Sequence, residues 1–170
     1  MQLKTILVLG VLLVSNPVWA ESVTGPVKKQ ETITEKLEPS VYERRIKRDE
    51  PEVYKQLFSA LENNGYFVVF ETNIGKNLSR FSQRWGDDYN KNKLDSIRSM
   101  IFCNGWYANK VSNADPKMLA LCPMHITITH KKGITSILYV RPGQVAKASP
   151  AKKVADELEQ DVIRIINSIP

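Results

Sequence analysis

The chain has 170 residues, with 24 Lys and Arg against 18 Asp and Glu and a formal net charge of +6. Hydrophobic residues at 42% and charged residues at 25% are ordinary globular proportions and exclude an intrinsically disordered protein. Two cysteines are too few for a disulfide-dense scaffold.

Residues 1–20 carry a basic Lys4, an apolar run from Ile6 to Val14, the helix-breaking Ser15-Asn16-Pro17, and Val18-Trp19-Ala20 as a cleavage site. That order is the pattern of a secretory signal peptide, and the apolar run is too short to anchor across a bilayer. Export is therefore expected, to the periplasm if the source is Gram-negative, with no transmembrane segment after cleavage. Residues 21–40 have few large apolar side chains and mixed charges, so they are expected to form a flexible leader. Residues 41–170 are expected to form one domain.

Within that domain, Val41 to Lys47 reads as an edge strand with Tyr42 and Ile46 on one face. Asp49-Glu50-Pro51 reads as a capped helix start, and Val53, Leu57, Ala60 and Leu61 form one apolar stripe that stops at Asn64-Gly65. Tyr66 to Phe70 is aromatic or β-branched throughout and is expected to be a central strand with both faces covered. Asn73 can cap a second helix, whose stripe runs Ile74, Leu78, Phe81, Trp85 and closes at Gly86. A polar loop follows, Asp87 to Lys93, whose spacing does not fit a calcium loop. Ile97 to Cys103 reads as a strand, Trp106 to Asn113 as a short helix, and Asp115-Pro116 as the start of another turn. Pro123 to Thr129 and Ile134 to Val140 form a hairpin around Lys131-Lys132-Gly133. Ser149-Pro150 opens a last helix with Val154, Leu158, Val162, Ile165, Ile166 and Ile169 inward, and Asp156, Glu157, Glu159, Gln160 and Asp161 on the other side. This order predicts an α+β domain: a mainly antiparallel sheet with helices packed on one face.

Cys103 ends one predicted strand and Cys122 precedes another, so the two can meet at the same end of neighbouring strands. A disulfide and a pair of separate thiols both fit. Cys122-Pro123-Met124-His125 offers thiolate, thioether and imidazole, ligands that suit Cu(I). Against a metal site at Cys103, Cys122 and His125 stands the alternation of a strand: Met124 and His125 point to opposite faces, as do His125 and His130. Asn104, Trp106 and Tyr107 cluster in the connection between these strands and, with His125, are the ligand-binding candidates. Packing of both aromatics under the sheet is the competing reading. Arg44, Arg45, Lys47 and Arg48 read as a charged edge diluted by Glu43, Asp49 and Glu50, and nucleic acid is not an expected partner of an exported protein. No catalytic set or cofactor motif is recognisable, and no cofactor is expected.

Three stretches carry a family resemblance: Asn64-Gly65-Tyr66-Phe67-Val68-Val69-Phe70; Ile101-Phe102-Cys103-Asn104 followed by Asp115-Pro116; and Leu121-Cys122-Pro123 leading into the hairpin. In this order they resemble domain of unknown function family 302, in a secreted subgroup. The resemblance implies a compact α+β domain that often self-associates. It implies no reaction, substrate or catalytic residue. Cys122 precedes the proline that a cysteine follows in many members. The expected function is an exported, non-enzymatic binding domain, homodimeric, for a small ligand or an envelope protein. The alternative is a thiol- or metal-dependent envelope protein using Cys103, Cys122 and His125.

Overall fold

Alternation of apolar and polar side chains along the strands decides how the layers form. The computed structural model of the protein describes residues 39–170. The expected signal peptide, and the expected leader up to residue 38, lie outside the described residues. Among these residues five strands form one sheet: β1 (Val41–Ile46), β2 (Phe67–Asn73), β3 (Ser96–Cys103), β4 (Met124–Lys131) and β5 (Ile134–Val140). Their order is β1-β5-β4-β3-β2 and every neighbouring pair is antiparallel. The expected antiparallel α+β architecture is present.

Among the described residues six helices lie between or after the strands: α1 (Glu50–Asn63), α2 (Ile74–Ser79), α3 (Ser82–Trp85), α4 (Gly105–Ala114), α5 (Pro142–Val145) and α6 (Lys152–Asn167). Short 3-10 turns occupy Gly86–Asp88 and Pro116–Leu121. The long helices bury their predicted stripes. Val53, Leu57 and Leu61 of α1 and Leu158, Val162, Ile165 and Ile166 of α6 join Met100, Phe102, Ile126, Ile128, Ile137 and Tyr139 of the strands in one core. The β4–β5 hairpin turns on Lys132 and Gly133 at φ +49° and +75°, the left-handed pair that a two-residue turn needs to match strand twist.

Three expectations change. The run beginning at Tyr66 forms an edge strand, and β4 takes the centre of the sheet. Strand-forming side chains announce a strand but not its place in the order. The register shifts between Val68 and Phe70, so Val68 packs against the core while Val69 and Phe70 both stay exposed. The predicted helix from Ile74 to Trp85 breaks after Ser79, and Phe81 and Trp85 stack on each other at 5.2 Å while both remain exposed. Asp49 stands at the N-terminus of α1 without a side-chain cap bond, whereas Asn73 does cap α2, its Oδ1 accepting from the Lys76 N–H at 2.8 Å.

Candidate functional site

The end of the sheet where β3 stops gathers the residues singled out in the sequence. The turn from β3 into α4 is built by Asn104. Its Oδ1 accepts from the Tyr107 N–H at 3.1 Å, and its Nδ2 donates to the Gly65 carbonyl at 2.9 Å. The first bond caps α4. The second ties the cap to the residue at φ +76° that follows α1. Both ends of the Asn104 amide thus take part in the fold.

Trp106 and Tyr107 separate. Tyr107 stacks on Tyr66 with ring centroids 6.3 Å apart and packs against the core, and Lys110 Nζ sits 5.6 Å from its centroid. Trp106 is 67% exposed, so packing under the sheet accounts for one aromatic of the pair and not the other. Beneath them Tyr66 is fully buried and donates to Asp161 at 2.8 Å. Burial, then that carboxylate, drives its hydroxyl far above the ordinary phenol range.

Cys103 and Cys122 are half-buried free thiols; the disulfide that an even cysteine count suggests is not formed in this structure. They are near enough to sense each other. Burial, and secondarily the neighbouring Cys103, raises the Cys122 thiol, which keeps it protonated and slow as a nucleophile at neutral pH. His125 is exposed and stands across from Ile101 in the register, on the sheet face that α1 and α6 leave uncovered. His130 faces the other way, its Nδ1 2.9 Å from Thr135 Oγ1, as the odd spacing predicts. Among the described residues no three His, Cys, Asp or Glu side chains come together to hold a metal ion.

The family can now be placed. The sequence profile of the family described as "Domain of unknown function DUF302" matches residues 42–169. The chain belongs to the DUF302 family. This DUF302 domain is similar to an uncharacterized conserved protein DUF302 from Bacillus stearothermophilus, known as a crystal structure. Identity is 19% and the TM-score 0.66, over 77% of this chain and 98% of that one. At that identity the likeness carries the fold. No curated protein matches the sequence.

Two features of the DUF302 domain escaped sequence reasoning. One is a charged cluster beside α1. Glu50, nearly buried, accepts from Ser96 Oγ at 3.0 Å and from Arg98 at 3.3 Å; Arg98 stacks 3.5 Å above the Tyr54 ring, and Tyr54 donates to Glu71. Glu50 reads as an ordinary first-turn acid, and only the packing of α1 against the sheet brings Arg98 to it. The other is the uncovered face of the sheet. Phe67, Val69 and Phe70 are 62%, 59% and 56% exposed, and Val41 and Val140 are exposed as well. Phe70, Ile101 and His125 lie side by side in the register, as do Val41 and Val140. The signal in the sequence is that the run has no polar residue to mark a solvent side: Tyr66 and Val68 turn to the core, and Phe67, Val69 and Phe70 are left exposed.

Proposed function

We propose that this protein is an exported, non-enzymatic interaction domain that self-associates through the sheet face left uncovered by α1 and α6. The observation that carries the reading is the row of exposed Phe67, Val69 and Phe70 on β2, continued by Val41 and Val140. Contiguous exposed apolar surface on a globular domain marks an interaction site. Export is supported by the signal-peptide pattern of residues 1–20.

A second copy is the occupant that the area favours. Five strands at about 4.8 Å spacing, each about 20 Å long, present about 480 Å² of projected sheet, or about 1,000 Å² for two copies before side-chain relief is added. Stable interfaces bury about 1,200–2,000 Å² in total and weak, transient ones less, so the face suits a weak dimer that dissociates on dilution. Polar residues interrupt the face: Thr72 and Thr127 flank Ser99 in the register, and Ser99 is itself buried with its hydroxyl donating to the Ile126 carbonyl. That composition suits a reversible contact more than an obligate one.

Sedimentation velocity on the mature chain across a concentration series tests this. The wild type should pass from monomer to dimer with a dissociation constant in about the micromolar range. Phe70→Lys should shift that constant upward by at least about tenfold while leaving the thermal midpoint within a degree or two, because an exposed position contributes little to folding. A wild type that stays monomeric at every concentration, or a Phe70→Lys variant that dimerises as well as the wild type, defeats the proposal.

A further inference from the structure

We propose that the pocket between α2, the loop after α3 and the start of β3 binds a small amphiphilic carboxylate. This site lies at the start of β3, four residues along the strand from the Ile101 that pairs with Phe70, and does not depend on self-association. The pocket has a volume of ≈ 540 Å³, inside the span typical of small-molecule sites. Its apolar lining is Leu78, Tyr89, Leu94 and Ile97, all half-buried, so apolar side chains are gathered there without being sealed by the protein. An apolar portion of a ligand gains from covering them.

The charge of the lining selects the other end of the ligand. Lys76 and Lys91 border the pocket and are exposed, while the acid that lines it, Asp95, already accepts from the Lys132 N–H at 2.9 Å. Lys91 also meets Asp88, but both partners of that pair are largely exposed to water, which leaves the ammonium able to turn to an anion at little cost. A carboxylate held between two ammonium groups, with its hydrocarbon on Leu78, Leu94 and Ile97, satisfies both halves of the pocket.

Both walls are fixed before any ligand arrives. Asn73 caps α2, and Gly75 lets the helix come close to β3: a Cβ there would stand 3.3 Å from the Ile97 backbone nitrogen. Across the pocket, Asn90 donates to the Leu94 carbonyl at 2.9 Å and accepts from the Leu94 N–H at 3.0 Å, closing the loop on itself. A pocket that needs no ordering loses less affinity on binding.

Titration calorimetry with octanoate, and with octanol as the uncharged counterpart, tests the proposal. Wild-type protein should bind octanoate saturably and octanol at least about threefold more weakly. The double variant Lys76→Glu, Lys91→Glu should weaken octanoate by about tenfold or more with an unchanged circular dichroism spectrum, and should leave octanol where it was. Leu94→Asn should weaken both probes. Equal binding of the two probes, undiminished octanoate binding by the double variant, or no saturable binding of octanoate by the wild type overturns it. None of these results bears on the sedimentation test, so the two proposals fail independently.

Discussion

Glu159 shows how a single residue can escape a helical pattern. The spacing of α6 places it among Asp156, Glu157, Gln160 and Asp161 on the polar side, yet it is 2% exposed. The reason lies outside the helix. Arg141 Nε stands 2.7 Å from its Oε1, and the Gly143 N–H donates to its Oε2 at 3.0 Å, so α5 is fastened to α6 through one carboxylate. The absence of a side chain at Gly143 makes room for these carboxylates, because a Cβ there would push aside those of Asp156 and Glu159. Removing one partner of a buried pair costs more than the pair contributes, since the remaining charge stays desolvated. Glu159→Ala should therefore lower the unfolding free energy in urea by about 3–5 kcal/mol, and a loss below about 1 kcal/mol would mean that the pairing does not hold in solution. The cysteines show the same limit of a sequence pattern. Their placement at neighbouring strand ends is legible from the order of elements, whereas their half-buried state and mutual influence depend on packing.

Elements were legible where a stripe had a core to meet. The stripes of α1 and α6 face the sheet as their spacing requires, and the hairpin follows from its turn residues. The stripe from Ile74 to Trp85 was misleading because it meets no core: α2 lies along the start of β3, and Phe81 and Trp85 satisfy each other. The basic cluster of β1 is also reinterpreted at this scale. Strand alternation sends Arg45 outward and Arg44 inward, where Arg44 donates to the Ile166 carbonyl and to the Ile169 carbonyl at 2.5 Å. Those carbonyls lie at and just past the end of α6, where no further helical turn supplies N–H groups to donate to them. Arg48 in turn donates to Gln56 at 2.9 Å and to the Pro170 carbonyl. Half of the cluster, Arg44 and Arg48, is thus a clamp on the C-terminal end of the chain after α6, while Arg45 and Lys47 stay exposed. Arg44→Ala should cost about 1.5–3 kcal/mol, the range for hydrogen bonds to a charged group. Hydrogen exchange should show that loss first in the β1 amides and in the last turn of α6. Uniform loss of protection across the sheet would argue against a local clamp.

Over the whole molecule, the buried phenols set an alkaline limit on folding. Tyr54, Tyr66 and Tyr139 lie in one core at 5%, 0% and 1% exposure. Burial is the largest cause that pushes each hydroxyl above its ordinary value, followed by Glu71 for Tyr54, Asp161 for Tyr66 and Glu159 for Tyr139. A phenol raised in the folded state leaves stability intact below its unfolded pKa of about 10. Above that pH the unfolded chain releases its protons while the folded chain holds them, and stability falls by about 1.4 kcal/mol per pH unit for each such group. Three of them together give about 4 kcal/mol per pH unit, enough to unfold an ordinary domain within two to three units. The phenolate absorbance should therefore rise in two steps, the second coinciding with loss of the far-ultraviolet dichroism. Tyrosines that all ionise reversibly near pH 10 in a folded protein would refute this. Tyr139 separates the titration from the packing, because its hydroxyl donates to Met124 Sδ at 3.5 Å, a weak acceptor. Tyr139→Phe should change stability at neutral pH by less than about 1 kcal/mol, yet make the alkaline slope shallower by about 1.4 kcal/mol per pH unit.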